Sequence, residues 1–287
     1  MVAVPVADPS RRLLAVHAHP DDESITTGGL LARCATAGVT TVVLTCTDGR
    51  YGPVNQDLGL LITPDQLAIV RAAELDEAAR ILGVAEIQRL EHHDSNMTGL
   101  PENHAPKAFW AQATDQLVAA VVRLVRKYRP HVVVTYDAFG NTGHPDHVQA
   151  HRITMLAVAA ASEARCFPEA GATWSVQQVF HPVYPVSSLR SFVDEEERAG
   201  RPHPFEGRDV AEVNYGRPDS DVTHLVAIGD VHEHKSRALH AHRTQTGPHY
   251  PQLYRAALAR REHEHFRLAW QRHPRVDFED IFEPVAQ

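Results

Sequence analysis

The sequence predicts an α/β protein: a Rossmann-like, mostly parallel sheet with helices on both faces and a C-terminal elaboration. Two observations carry this expectation. Through the first 160 residues, short apolar runs rich in β-branched residues alternate with longer segments of helical spacing. Polar, metal-capable residues follow these runs, at the carboxyl ends of strands, where open α/β sheets place their ligands.

The elements are read in order. Leu13 to Val16 is a strand that gives way to His17, His19, Asp21, Asp22 and Glu23. Gly28-Gly29 opens a helix ending near Gly38, and Val39 to Cys46 is a second buried strand, completing a βαβ unit. The turn-rich stretch 47–64 reads as a long binding loop. Asp65 to Gly83 has helical spacing with Gly83 as a C-cap, and Ile87 to Leu90 is a short third strand. Residues 112–128 form an amphipathic helix stopped by Pro130, and HVVVTYD supplies the next strand. Val148 to Ala161 is an alanine-rich helix.

Beyond 161 the pattern loosens. WSVQQVFHPVYP suggests strand, 194–220 is charged and punctuated by Pro and Gly, and Thr223 to Ile228 is a further strand. Val231 to His242 and Tyr254 to His265 are helical in spacing. We therefore expect a catalytic core over 1–165 and a C-terminal α/β part over 166–287 that packs on it and completes the pocket.

Composition narrows the function. Lys and Arg number 28 against 36 Asp and Glu, a formal net charge of −8, which offers no general attraction to nucleic acid or anionic lipid. Three cysteines without ligand-like spacing argue against a disulfide scaffold and for a reducing interior. No signal peptide or spanning apolar stretch is evident, so a cytoplasmic protein without membrane partners is expected. The 20 histidines are many, and those of the last third, including His232, His249 and His265, read singly as surface or structural residues.

Two clusters point to a metal hydrolase. In the first, His19 and Asp22 are three residues apart and can meet over one turn at a helix entry. His147, from the Gly143-His144-Pro145-Asp146-His147 segment after another strand, can supply a third ligand. Two imidazoles and a carboxylate leave a position for water, as in catalytic zinc sites. Asp21 is then the candidate to take the water's proton. His144 can stabilise the oxyanion or protonate the leaving amine, with Asp146 orienting a ring nitrogen. No GxGxxG, Walker or GxSxG sequence competes with this reading.

The chain resembles the LmbE-like or PIG-L family of zinc-dependent N-acetylglucosaminyl deacetylases. The resemblance is closest to the actinobacterial branch holding the GlcNAc-inositol deacetylase and the mycothiol S-conjugate amidase. It rests on VHAHPDDE at 16–23, TCTDG at 45–49, RAAELDEAARILGV at 71–84, HDSNM at 93–97 and RPHVVVTYDAFGNTGHPDH at 129–147, with a thinner match at KSRALHAHRTQ, 235–245. It implies one Zn2+ per chain on His19, Asp22 and His147, another first-row divalent ion being compatible with those ligands. It also implies Asp21 as base, His144 with Asp146 as its carboxylate partner, and Arg71 and Asp94 as sugar contacts. His242 and Gln245 are candidates for the pocket wall, as are Tyr136 and Asn141 on the loop entering HPDH.

The expected reaction is removal of the N-acetyl group from a GlcNAc-containing small molecule. The alternatives are amide cleavage of a mycothiol S-conjugate type and the GlcNAc-inositol deacetylation of thiol biosynthesis. Arg50-Tyr51 stands where thiol-pathway relatives usually carry a glutamate, and GNTG replaces a GGYG type. These departures keep an acetylated sugar of a secondary metabolite in view as substrate. A homo-oligomer is a possible assembly.

Overall fold

The computed structural model describes residues 2–3, 10–246 and 252–272; His249 lies outside them. In chain order the elements are β1 (Val2–Ala3), β2 (Arg12–His17), α1 (Asp22–Thr36), β3 (Thr40–Thr47), α2 (Pro64–Leu82), β4 (Glu86–His92), α3 (Thr114–Tyr128), β5 (Val132–Val134), the single turn α4 (Gly140–Gly143), α5 (Pro145–Ala161), β6 (Gln178–Pro185), α6 (Val186–Arg198), β7 (Gly216–Arg217), β8 (His224–Ala227), α7 (His232–Ala241), α8 (Gln252–Ala259) and β9 (His263–Gln271).

The strands form one sheet in the order β1-β8-β9-β6-β5-β2-β3-β4, with β7 beside β6. Strand β2 pairs in parallel with both β3 and β5; the chain first builds outward through β3 and β4, then returns to the other side of β2 for β5 and β6. The reversal leaves a crevice at the carboxyl ends of β2 and β5, the topological switch point of this class of sheet. Alternation along the buried strands sorts the core. Leu13, Ala15, Val43, Val132 and Val134 face α1, α2 and α7, whereas Leu14, Val16, Val42, Leu44 and Val133 face α3 and α5.

Local signals set the boundaries. Thr63 caps α2 in a capping box with Gln66, Pro64 occupies its first turn, and Gly83 ends it in the left-handed conformation. Helix α1 starts at Asp22, six residues before Gly28-Gly29, so these glycines lie inside the helix and do not open it. Close packing explains them: a Cβ on Gly29 would lie 2.5 Å from Ile228 Cγ2 and 3.0 Å from Glu264 Cδ. The Glu264 carboxylate accepts the N–H groups of Gly29 (2.9 Å) and Leu30 (2.8 Å) and the Lys235 ammonium at 2.6 Å, all fully buried.

Two expectations for the C-terminal part are corrected. The stretch from 194 was expected to be irregular, yet Val186–Arg198 is helical, because Leu189, Phe192 and Val193 pack as one apolar stripe into a third cluster with Phe205, Val210 and Leu239. Helical spacing was expected from Tyr254 to His265, but α8 ends at Ala259 and His263–Gln271 is strand β9. This strand lies antiparallel between β6 and β8, with Glu264 and Phe266 buried on alternate positions. Strands from both sides of residue 165 therefore share one sheet. Among the described residues no helix is long and apolar enough to cross a membrane.

His181 gives the fold an acid sensitivity. It is buried on β6, its Nδ1–H donates to the Thr135 carbonyl at 2.9 Å, and burial pulls its pKa down to about 4. Below its ordinary value of 6.5 the unfolded chain binds a proton that the folded chain does not, so stability present above pH 6.5 is lost as pH falls toward 4. The single-site effect reaches roughly 3 kcal/mol. His265, also drawn down to about 4 by burial, acts in the same direction. Urea midpoints should fall between pH 7 and pH 5, less steeply in His181→Asn; identical slopes in both proteins would remove His181 from this account.

Candidate active site

The crevice between β2 and β5 gathers three donors. His19 follows β2, Asp22 is the first residue of α1, and His147 is in the first turn of α5. His19 Nδ1 lies 3.4 Å from Asp22 Oδ2, His147 Nε2 lies 3.5 Å from the same oxygen, and the two nitrogens are 3.2 Å apart. A tetrahedral ion with bonds of about 2.0–2.2 Å separates its ligands by about 3.3–3.6 Å, so the triangle fits one divalent ion.

The neighbours fix which atoms face that triangle. His147 Nδ1 is 3.1 Å from the Gly140 carbonyl and must donate to it, which leaves the lone pair on Nε2. His19 Nε2 is 3.3 Å from Asp146 Oδ2 and 3.6 Å from Asp94 Oδ1, so it carries the proton and Nδ1 presents the lone pair. His19, Asp94, His144 and Asp146 also form a compact group. Its two carboxylates meet His19 on the N–H side and act as orienting acceptors. Beneath Asp22, Tyr136 donates its hydroxyl to Oδ2 at 2.6 Å, accepts the Ala18 N–H at 2.7 Å, and stacks on the His147 ring.

The electrostatics call for a cation here. Burial works against a proton on His19, but the Asp94 charge and hydrogen bonds to Asp146 and Asp22 hold its pKa well above the ordinary value. Burial likewise opposes ionisation of Asp22, yet His147 and His19 keep it well below the carboxylate range. Four aspartates, 21, 22, 94 and 146, are buried around this point, and a positive charge at the centre offsets their mutual repulsion.

Asp21 lines the cavity beside the triangle, at φ 125° and ψ −30°. Such a backbone costs of order 1–3 kcal/mol in a non-glycine residue and persists only where its surroundings hold it. Arg71 is one holder: its guanidinium bridges Asp21 Oδ2 at 2.8 Å, the Gly49 carbonyl at 2.6 Å and the Pro20 carbonyl. Gly49, at φ 63°, and Gly52 let the loop press against that guanidinium, since a Cβ on either would fall within 2.5 Å of Arg71 Nη1.

His144 borders the cavity, its ring edge-on to His19 with centroids 4.6 Å apart. Its Nδ1 accepts the Asp146 N–H at 3.2 Å, so Nε2 carries the proton. Burial, then the charges of His19 and His147, hold its pKa far below the imidazole value, which makes it a neutral donor.

The sequence expectations thus meet the structure residue by residue. His19, Asp21, Arg71, Asp94, His144, His147 and Gln245 all line one cavity of about 220 Å³. Asp146 is fully buried behind it, and its carboxylate orients His19, not His144. Tyr136 and Asn141 lie below and beside the site: the Asn141 amide oxygen accepts the Asp137 N–H at 3.1 Å within the turn that delivers HPDH. His242 is also fully buried and reaches Glu23 instead of the cavity. Reading the sequence assigned no role to Tyr51, Gly52, Asn96, Met97 and Thr142, which complete the walls, although each sits in or beside a stretch singled out there.

Comparison with known proteins agrees with this geometry. The family model described as GlcNAc-PI de-N-acetylase (PIG-L) matches residues 14–158. A 1D-myo-inositol 2-acetamido-2-deoxy-alpha-D-glucopyranoside deacetylase of Geodermatophilus obscurus is 43% identical over 246 residues, covering 83% of this chain and 83% of its own. The enzyme of the same name from Rhodococcus erythropolis is 44% identical over 247 residues, covering 82% and 81%. Among solved structures, N,N'-diacetylchitobiose deacetylase from Pyrococcus horikoshii superposes with a TM-score of 0.63 at 21% identity, over 90% of this chain and 83% of that one. The 4-carboxy-2-hydroxymuconate hydratase of Pseudomonas putida gives 0.62 at 17% identity, over 96% and 100%. A deacetylase and a hydratase resemble the chain about equally in shape, so the solved structures speak to fold alone.

Proposed function

The chain belongs to the PIG-L family, and on that premise we propose that it is a zinc-dependent hydrolase releasing acetate from a GlcNAc-containing small molecule, with a GlcNAc-inositol glycoside as the substrate class. One observation carries the chemistry: His19, Asp22 and His147 present three lone pairs to one point at the wall of a cavity that Asp21 and His144 also border.

When bound there, a divalent ion supplies a water of lowered pKa and a polarised amide carbonyl. Asp21, aimed by Arg71, accepts the attacking water's proton at its carboxylate and returns it to the departing amine. His144 donates from Nε2–H to the carbonyl oxygen as charge builds there. With Nδ1 occupied by the Asp146 N–H, it has no basic nitrogen for a second proton, so it serves as a neutral electrophile. Asp94 accepts hydrogen bonds from sugar hydroxyls; its carboxylate, whose ionisation burial opposes and the His19 charge favours, is already steered by the N–H groups of Asn96 at 2.8 Å and Tyr51 at 3.4 Å. Gln245 forms the opposite wall.

The test is acetate release with metal content measured on the same sample. The glycoside 1D-myo-inositol 2-acetamido-2-deoxy-α-D-glucopyranoside should be turned over with kcat/KM at least about tenfold above free N-acetylglucosamine, the preference that roughly 1.4 kcal/mol of inositol contact provides. Amide cleavage of a cysteinyl-glucosamine conjugate without acetate release from any acetylated sugar would replace deacetylation by the amidase reading.

A further inference from the structure

We propose that Glu23 and His242 are a positioning pair for the general base, holding the Asp21 peptide in its strained conformation from the far side of the site. The proposal rests on the assignment of Asp21 as base. Asp21 is tied at both ends of its peptide: its N–H donates to Glu23 Oε2 at 2.9 Å, and its carbonyl accepts the N–H groups of Ser24 and Ile25 at 3.0 Å each. Only the first of these depends on a side chain. The other oxygen of Glu23 accepts the Ser24 hydroxyl at 2.5 Å and faces His242 Nε2 at 2.8 Å. Both Glu23 and His242 are wholly buried, and neither borders the cavity. A carboxylate so placed keeps its charge, and with it the strength of its bond to the Asp21 N–H, only beside a donor such as His242.

His242 is itself braced. It follows the last turn of α7 and leads into a segment fastened to two other parts of the site. Thr244 donates its N–H and hydroxyl to the two oxygens of Glu74 on α2, at 2.8 and 2.6 Å. The Asn55 N–H, from the loop that carries Tyr51 and Gly52, donates to the Thr244 carbonyl at 2.7 Å. The chain after α7 therefore sets one cavity wall through Gln245 and the attitude of the base through His242. Arg71 aims the Asp21 carboxylate; Glu23 aims its backbone.

A positioning role and a structural ion pair differ in how they combine with loss of the base. In the metal-loaded enzyme, Glu23→Gln should lower kcat about tenfold and Glu23→Ala about a hundredfold, the scale of a misplaced catalytic group, with KM and metal content unchanged. His242→Gln, whose amide can still donate to Glu23, should retain more kcat than His242→Leu. In an Asp21→Asn background the same Glu23 substitutions should change the residual kcat by less than about twofold, because nothing is left for them to aim. Equal fold-losses in both backgrounds, or a wild-type kcat in Glu23→Gln, would overturn the proposal. If Glu23→Ala does not fold, the Glu23→Gln and His242→Gln measurements decide alone. An Asp21→Asn enzyme with undiminished kcat would instead remove the base assignment.

Discussion

His147→Ala is expected to abolish stoichiometric metal binding and to lower kcat/KM by about three orders of magnitude or more, the loss of roughly 4 kcal/mol of transition-state stabilisation. His147 contributes one of three converging donors, and its Nδ1–H bond to Gly140 aims Nε2 at the other two. Removing it leaves His19 and Asp22, too few ligands to compete with water for a divalent ion. The wild-type enzyme stripped by a chelator should lose activity to the same extent and recover it on metal addition, whereas the variant should not recover. A variant that binds one equivalent of metal and works at more than a tenth of the wild-type rate would show that His147 is not a ligand.

Asp21→Asn is expected to keep the metal and lose about a hundred- to ten-thousandfold in kcat, the range for removal of a positioned general base. The substitution is nearly isosteric and asparagine tolerates positive φ, so the fold and the ion should survive it. KM should change little, because the sugar contacts assigned to Asp94 and Gln245 are untouched. Acetate release at the wild-type rate with full metal occupancy would take the base role from Asp21. The Arg71 contact adds a check: Arg71→Lys, which gives up the planar fork that spans Asp21, Gly49 and Pro20, should lower kcat in the same direction and by less.

The convergence of His19, Asp22 and His147 was readable in the sequence because each half is contiguous: HPDD and HPDH each place their groups on one strand end, and the parallel pairing of β2 with β5 brings those ends together. The alternation of apolar runs and helical segments foretold the sheet for a similar reason, since each element there is buried through its own periodicity. What escaped depends on packing between distant segments. That Asp146 serves His19, that Tyr136 lies under Asp22, and that His242 meets Glu23 rather than the cavity are contacts across 114 to 219 positions of chain. Strand β9 was hidden because a histidine- and glutamate-rich pattern looks solvent-facing, whereas Glu264 is buried to satisfy Gly29, Leu30 and Lys235. The α6 stripe was missed because its three apolar residues lie just before the charged run that dominates the reading.

The most direct measurement is X-ray absorption at the metal edge of the purified, metal-loaded enzyme. Coordination by two imidazole nitrogens, one carboxylate oxygen and one exchangeable light-atom ligand at about 2.0–2.2 Å is the predicted result, with the imidazole contribution halved in His19→Ala if any metal remains. A sulfur scatterer, a fourth protein ligand closing the shell, or an unchanged spectrum in that variant would contradict it.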